Sequence, residues 1–530
     1  MTRNTMPSAV SITVKNYRCF TDNHPATVDL GPGFTAFVGP NNSGKSAYLK
    51  FFYEFQSLWG ALNGANIIAH FRNNADNLYS PGGLRAVIDA QEVLSDHTGR
   101  AMGVDVGLSA TPASEPYLKS VSLTADANNP TAWRGKVSCG PTECAGLRTA
   151  GVDLVNESGH RVWWTPFSES FANLAGCMFA PAFRNAINEG SGSHYDLAVG
   201  TSLVNLWNQW KAGNTRSSKI AIQRITNDIR HIFGFHTLEI NASADGKTLE
   251  VVTDGRPYRL NDLGAGISQF IILFANIAIR RPTLLLLDEP ELNLHPSLQI
   301  DFLTSLASYT STGSVVFATH SLGLARATAD RIFTFTPGAD GTVVSAFEQT
   351  PNYAEFAGEM SFSSFRELGF STILMVEGPS EVKAVQQLLR LLGRDHEIVV
   401  LHLGGSSTIC AGREIELGEL RRLTTAVGIL IDSEKASTTA TLEPGRQQFL
   451  ADCARLGFKT LATEKRAFEN YLPDRAIKKV LGPGYRALTD YERLKDVSPA
   501  WSKMENWRIA REMTRDELLT TDVGKFLASL

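Results

Sequence analysis

The segment GPNNSGKS at residues 39–46 constrains the fold more than any other part of the chain. It fits the pattern G-x-x-x-x-G-K-[ST], and it lies between the apolar run GFTAFV and the helical pattern AYLKFFYEF, as a phosphate-binding loop requires. In such a loop, backbone N–H groups surround nucleotide phosphates, the lysine reaches the β and γ phosphates, and the final hydroxyl ligates Mg²⁺. These roles fall to Gly39, Asn41, Asn42, Ser43, Gly44, Lys45 and Ser46. The sequence therefore predicts an α/β fold on a mixed sheet that binds ATP and Mg²⁺.

Two later strand ends supply the groups that such a site needs. The run PTLLLLDEP ends at Asp288, which is expected to hold Mg²⁺ directly or through water, and Glu289 beside it can polarise the attacking water. The run VVFATHS places His320 just past another apolar strand, within reach of the γ-phosphate. Strands that are apolar throughout are typical of a parallel sheet covered on both faces.

The composition does not identify a binding partner, but it limits the class of protein to which the chain can belong. At roughly 100–200 residues per domain, 530 residues suggest about three packed units. The net charge of −4 argues against a globally basic nucleic-acid coat, although a local basic channel remains compatible with it. The six cysteines form no C-x-x-C pair, so a zinc site or a disulfide framework is not expected. We expect a cytoplasmic protein with no membrane partner, because no apolar run is long enough to span a bilayer.

The pattern along the chain changes several times. Short strand-like pieces over 84–165 predict an antiparallel insertion, and residues 194–235 have helical spacing, which fits either a core helix pair or a helical dimerisation insert. The α/β pattern then returns twice, with a boundary near 345–368 and a charged, helical tail from about 474. The predicted divisions are 1–165, 166–240, 241–368, 369–475 and 476–530.

Five carboxylates follow strand ends in the second α/β region. Glu377 and Glu381 stand in TILMVEGPSE, Asp432 and Glu434 in AVGILIDSE, and Glu469 in RAFENYLPD. Acids also favour the first turn of a helix, which is the simpler interpretation of the first pair. Five acids delivered to one sheet edge would repel one another unless cations lie among them, so we predict two Mg²⁺ or Mn²⁺ ions.

The combination of phosphate loop, D-E-P motif and late histidine resembles the heads of ABC-type ATPases. The stretch LNDLGAGISQF at 260–270 then stands where that family has its signature, with Asp262, Gly264, Gly266 and Ser268 as the matching positions. It departs from the transporter form LSGGQ and is similar to the version in soluble, DNA-linked members. The resemblance implies at least a homodimer, because each signature completes the ATP site of the other subunit. Gln56 is a candidate for the family's Q-loop, or else a surface glutamine.

The second region resembles the Toprim fold. That fold has a glutamate after its first strand, a glycine pair after the second, here Gly404 and Gly405, and an acid-x-acid motif after the third, here DSE instead of D-x-D. An ABC head followed by Toprim resembles the OLD (overcoming-lysogenization-defect) nucleases, which include the Gabija nuclease subunit. In that family a lysine beyond the acids joins the active site, and Lys503 in WSKMEN is the matching position.

The resemblance implies an ATP-binding, metal-dependent DNA endonuclease or nickase in antiphage defence. Its partners would be DNA, a second copy, and possible additions such as a helicase-like subunit or a retron reverse transcriptase with its RNA–DNA. Two alternatives stay open. An ATP-driven clamp with a catalytically silent Toprim unit is favoured by the DSE variation, whereas topoisomerase-like strand passage lacks an obvious strand-breaking tyrosine domain. Basic residues near the acids are either phosphate contacts or solvated charges: Arg421, Arg422, Lys465 and Arg466.

Overall fold

The structure is a computed structural model that describes most of the chain. The described residues are 10–87, 89–95, 97–109, 116–141, 146–182, 191–213, 215–294, 296–347, 372–395, 397–403, 409 and 426–530. The predicted glycine pair Gly404 and Gly405, the basic pair Arg421 and Arg422, and most of the boundary near 345–368 lie outside them.

The first unit occupies residues 10–347. Its strands are β1 (Val10–Lys15), β2 (Ala26–Leu30), β3 (Phe34–Val38), β4 (Gly103–Leu108), β5 (Tyr117–Ala125), β6 (Trp133–Gly140), β7 (Leu147–Ala150), β8 (Asp153–Asn156), β9 (Arg161–Val162), β10 (Cys177–Ala180), β11 (Ser191–His194), β12 (Leu197–Val199), β13 (Leu238–Ala242), β14 (Leu249–Thr253), β15 (Arg256–Arg259), β16 (Leu284–Asp288), β17 (Ser314–Thr319), β18 (Arg331–Gly338) and β19 (Gly341–Ala346). Its helices are α1 (Lys45–Glu54), α2 (Gln56–Leu62), α3 (Ala65–Asn73), α4 (Thr165–Ala175), α5 (Gly200–Ala212), α6 (Arg216–Ile232), α7 (Ala265–Arg280), α8 (Pro296–Ala307) and α9 (Leu322–Thr328).

A six-stranded sheet in the order β10-β16-β17-β3-β18-β19 forms the centre of this unit. Its neighbours pair in parallel except β18 and β19, which are antiparallel. Every residue of β3 and β17 is buried, as their unbroken apolar runs predict. Because parallel strands end at the same edge, the ends of β3, β16 and β17 bring the phosphate loop, Asp288 and His320 together.

An antiparallel sheet packs beside the central one. Its order is β2-β1-β4-β5-β6, so the predicted antiparallel insertion is present in β4 to β6. Aromatic side chains including Trp59 and Trp133 fill the core between the two sheets. The first of the strand-like pieces predicted over 84–165, RAVIDAQEV, is not a strand at its end, because Ala90–Val93 form a 3-10 turn. The Asp89 carboxylate accepts a hydrogen bond from the Gln91 N–H and favours that turn over an extended chain.

The helical region around α5 and α6 contributes to the core of its own chain. Ile222, Ile225 and Ile229 of α6 are buried in the same cluster as Phe270 of α7, while Ile220 is 54% exposed. The apolar stripe that indicated a helix is thus covered within the chain. This placement favours a core helix pair over a dimerisation insert.

The second unit is a smaller α/β layer. Its strands are β20 (Thr372–Val376), β21 (Ile398–His402), β22 (Ala426–Ile431) and β23 (Lys459–Ala462), paired in parallel in the order β21-β20-β22-β23. Its helices are α10 (Pro379–Leu392), α11 (Pro444–Arg455), α12 (Asp474–Leu481), α13 (Asn506–Arg511), α14 (Arg515–Leu519) and α15 (Asp522–Ser529). The tail is less helical than predicted. Between Leu481 and Asn506 it has only short 3-10 turns, as its Gly and Pro residues dictate.

One hydrophobic cluster spans the two units. Phe34 of β3 meets Trp507 of α13 edge to face, with ring centroids 6.1 Å apart. Helix α10 lies at this junction, where the buried Lys383 ammonium is 2.8 Å from both carboxylate oxygens of Asp330. No helix among the described residues combines the length and apolar character needed to cross a membrane.

Candidate functional sites

The phosphate loop has the geometry that its sequence predicts. Gly44 has φ +88°, and a Cβ there would lie 2.5 Å from the Cys19 sulfur, so this position requires glycine. The Lys45 ammonium donates hydrogen bonds to the carbonyls of Gly39 and Pro40, each at 2.8 Å. Burial lowers the pKa of Lys45, although nearby carboxylates oppose the shift. The loop therefore places a cation and its backbone where nucleotide phosphates would bind.

The predicted magnesium ligands of this loop are brought into contact. The Ser46 hydroxyl donates to a carboxylate oxygen of Asp288 at 2.8 Å. Burial raises the pKa of Asp288, and the hydrogen bond from Ser46 opposes that shift. A hydroxyl and a carboxylate at this distance form a suitable pair of oxygen ligands for Mg²⁺ beside the phosphate loop.

Glu289 and His320, which the sequence places after neighbouring strands, are in contact. The His320 Nε2 lies 3.0 Å from a carboxylate oxygen of Glu289, which is 7% exposed. Sequence reasoning missed Glu291, whose Oε1 accepts hydrogen bonds from the Thr319 hydroxyl at 2.6 Å and the His320 N–H at 2.9 Å. Its position two residues after Glu289 is the sequence feature that could have indicated this role. Glu291 thus fixes the backbone that carries His320.

The signature stretch divides into exposed and buried positions. Asp262 and Gly264 are exposed, and a Cβ on Gly266 would lie 2.7 Å from the Asn293 carbonyl. Ser268 is 1% exposed and donates to the Leu260 carbonyl at 2.9 Å, so its hydroxyl holds the preceding turn. Asp262 and Gly264 are thus solvent-facing, and the nucleotide contacts expected of the stretch stay a prediction.

Gln56 is buried, and its hydrogen-bond partners lie outside the phosphate loop. It is 8% exposed, donates to the Cys177 carbonyl and accepts from the Arg85 guanidinium. The surface interpretation is therefore wrong, and these contacts give Gln56 a packing role.

The carboxylates of the second unit gather at one edge of its sheet. Glu377 follows β20, Glu381 lies in the first turn of α10, and Asp432 follows β22. They line a cavity of about 350 Å³ together with Glu434. The fifth acid, Glu469, lies in a 3-10 turn beside it. The carboxyl ends of parallel strands thus deliver these acids to one place, as the sequence predicts.

Cations of the chain itself hold these acids. Arg446 binds Glu377 through both guanidinium nitrogens, at 2.9 and 3.0 Å. The Lys503 ammonium lies 3.1 Å from Glu469 and 4.0 Å from Glu381. Glu434 pairs with Arg466. Lys503 is therefore part of the acidic site rather than a solvated charge of a polar helix.

The negative charges of the two most buried acids of the cavity, Glu381 and Asp432, are poorly compensated by neighbouring cations. Burial raises the pKa of Glu381, and repulsion from Glu469 and Glu377 adds to the effect, while Lys503 opposes it. Burial and the neighbouring carboxylates likewise raise the pKa of Asp432 well above its usual value. A divalent cation would relieve this cost, and carboxylate oxygens suit Mg²⁺ and Mn²⁺. Within the described residues, however, no three acidic, histidine or cysteine side chains are arranged to hold one ion together.

Sequence reasoning missed two residues that position the acids. Arg446 also donates to the Asp432 carbonyl at 2.8 Å, so it links two strand ends. Asn506 donates to Glu469 at 2.9 Å and accepts from the Trp501 indole at 3.1 Å. Nothing in the segment LEPGRQQFL indicates that Arg446 contacts the acids. Asn506 lies three residues after Lys503, and this position is the feature that could have indicated its role.

The remaining predicted basic residues have partners inside the chain. Lys465 donates to the Asn470 carbonyl and pairs with Asp490, both at 3.0 Å. Arg466 donates to the Lys435 carbonyl at 3.0 Å in addition to its ion pair. These contacts give both side chains structural roles beside the acidic cavity.

Two segments of the first unit match models of ATPase families. Residues 10–78 match a model described as "AAA ATPase domain", and residues 189–326 match one described as "AAA domain, putative AbiEii toxin, Type IV TA system". These segments contain the phosphate loop, Asp288, Glu289 and His320. The first unit therefore contains an ATP-binding ATPase domain of the AAA type. No curated protein sequence matches the chain.

Solved structures of SMC heads are also similar to the chain. They are the SMC head domain from Thermotoga maritima (13% identity, 65% of this chain and 100% of that one, TM-score 0.33), an SmcHead bound to the C-winged helix domain of ScpA (10%, 64% and 98%, 0.37), and an Smc head domain with an extended coiled coil bound to the C-terminal domain of ScpA derived from Pyrococcus furiosus (10%, 65% and 97%, 0.35). With TM-scores this low, the ATPase assignment depends on the family models and the site geometry.

Proposed function

We propose that the chain is an ATP-binding, metal-dependent DNA endonuclease or nickase of the OLD type that acts in antiphage defence. The observation that carries the proposal is the convergence of strand-end carboxylates on one cavity, where Glu381 and Asp432 are buried with raised pKa values. Burial of these carboxyl groups lowers the stability of the folded chain, so the arrangement supports a binding role rather than a structural one. The first unit, with its own ATP site, would control this second site.

The donor set fits divalent metal ions in its chemistry. Glu377, Glu381, Asp432, Glu434 and Glu469 would supply oxygen ligands. When bound at such a site, Mg²⁺ or Mn²⁺ supplies an activated water and stabilises charge on the leaving oxygen of a phosphodiester. The Arg446 guanidinium binds both oxygens of Glu377, so an ion held by Glu377 would use the remaining lone pairs of these oxygens or displace the guanidinium.

Lys503 has a role that does not depend on ligating metal. Its ammonium lies between Glu469 and Glu381, and these carboxylates with Asp432 raise its pKa, so it stays protonated at neutral pH. A fixed cation beside the acids would stabilise the negative charge that develops on a phosphate during cleavage. Asn506 keeps Glu469 in place to hold Lys503.

Cleavage of supercoiled plasmid tests the proposal. We expect the wild-type chain to nick or linearise plasmid with Mg²⁺ or Mn²⁺ and not with a chelator. Glu377→Gln should lose this activity, and Glu464→Gln, an exposed glutamate of the same unit, should keep it. Cleavage that persists in Glu377→Gln would place the chemistry elsewhere.

A second candidate function is an ATP-driven clamp whose second unit docks a partner without cutting. The observation that favours it is that Arg446, Arg466 and Lys503 already pair with three of the five acids, Glu377, Glu434 and Glu469. In that case neither the wild type nor a Glu434→Asp variant would cut DNA under any metal condition.

A further inference from the structure

A second, larger cavity adjoins the acidic one. Its volume is about 1190 Å³, above the range of roughly 300–1,000 Å³ typical of small-molecule pockets. Glu434 and Lys503 line both cavities, so the two spaces lie side by side. A ligand in the larger space would therefore lie next to the acidic cavity, at Glu434 and Lys503.

The wall of this larger cavity contains two cations without an acidic partner in the described part of the chain. Arg493 and Lys495 are exposed at the 3-10 turn Leu494–Asp496, and no ion pair joins either of them to another described side chain. Three of the four carboxylates on the wall are already paired, which leaves Asp496. The pairs are Glu434 with Arg466, Glu469 with Lys503 and Glu492 with Arg486.

Two other lysines of the same tail are neutralised. Lys478 lies 2.6 Å from Asp474, and Lys479 pairs with Glu512. Both lysines are exposed on α12 and line neither cavity. These two lysines therefore differ from Arg493 and Lys495 in being ion-paired and in lying away from the cavity.

We infer that this cavity is a DNA groove in which Arg493 and Lys495 bind backbone phosphates next to the phosphodiester that reaches the acids. The inference rests on the proposed function and adds residues that position the substrate. Arg and Lys bind phosphates through charge-assisted hydrogen bonds, and each neutralised phosphate makes binding more sensitive to salt. Tyr485 and Trp501 on the same wall add aromatic surface to the groove.

Salt-dependent DNA binding tests this groove. Fluorescence anisotropy with a labelled single-stranded oligonucleotide, and with its duplex, would be measured in chelator so that no cleavage occurs. Loss of two phosphate contacts in Arg493→Ala/Lys495→Ala should reduce the slope of log K against log[salt] by about 1.4 on single strands or about 1.8 on duplex. The oligonucleotide for which the slope falls, single-stranded or duplex, is the form of DNA that the groove binds. The matched Lys478→Ala/Lys479→Ala variant should keep the wild-type slope.

The results separate this inference from the nuclease proposal. An unchanged slope in Arg493→Ala/Lys495→Ala, an equal reduction in both double variants, or no DNA binding by the wild type would overturn the groove. If the groove variant loses binding while the wild type never cuts plasmid, the groove stands and the nuclease proposal fails. If the wild type cuts plasmid and the groove variant binds and cuts DNA as well as the wild type does, the nuclease proposal stands and the groove inference fails.

Discussion

Glu289→Gln is expected to lower the rate of ATP hydrolysis by roughly 10²- to 10⁴-fold while leaving ATP binding intact. Glu289 lies directly after the magnesium-side Asp288, and its carboxylate contacts His320 at 3.0 Å. The amide keeps the size of the side chain but cannot accept a proton from the attacking water. Phosphate release and binding of a fluorescent ATP analogue, measured on the same preparation, check the two halves of the prediction.

Lys45→Ala is the comparison variant for this result. Lys45 supplies the cation of the phosphate loop, so its removal should weaken nucleotide binding as well as hydrolysis. Lys219, an exposed lysine of α6, provides a control whose replacement by alanine should change neither quantity. Wild-type hydrolysis in Glu289→Gln would remove this residue from the reaction.

Lys383→Met is expected to lower the free energy of unfolding by about 3–5 kcal/mol, because it leaves a buried carboxylate without its cation. Lys383 is fully buried on α10, and its ammonium lies 2.8 Å from both oxygens of Asp330 and 4.5 Å from the centre of the Phe34 ring. Asp330 also accepts the Phe34 N–H at 2.8 Å, at the start of the strand that leads to the phosphate loop. Denaturant unfolding followed by circular dichroism measures the change.

The double variant Lys383→Met/Asp330→Asn separates charge from packing. It removes the unpaired charge, so it should be more stable than Lys383→Met alone. A single variant within about 0.5 kcal/mol of the wild type would show that the pair contributes little across the junction. A less stable double variant would show that the Phe34 contact to Asp330 dominates.

The parts of the molecule that sequence predicts well are those where local pattern and sheet geometry agree. The loop at 39–46, Asp288 and His320 each follow an apolar strand, and parallel strands bring their ends together. Glu377 and Asp432 converge for the same reason at the second sheet. To predict such a placement, it is enough to identify the strand, its length and its direction.

Contacts between distant parts of the chain are not predictable in this way. Arg446 meets Glu377 across 69 positions, and in the sequence it is one polar residue of an ordinary helix. The burial of Ser268 follows from the packing of the turn at Leu260, which the glycine-rich pattern does not encode. Lys503 was identified through family resemblance alone, since a lysine in a polar segment is usually solvated.

Manganese binding to the nucleotide-free chain tests the central claim, that the acidic cavity is a metal site, most directly. Titration followed by electron paramagnetic resonance should show two Mn²⁺ per chain in the wild type and in Asp288→Asn, which changes only the ATPase site. Glu377→Gln/Asp432→Asn should lose these ions while remaining folded by circular dichroism. A wild type that binds no Mn²⁺, or a double variant that binds as much as the wild type, would contradict the account.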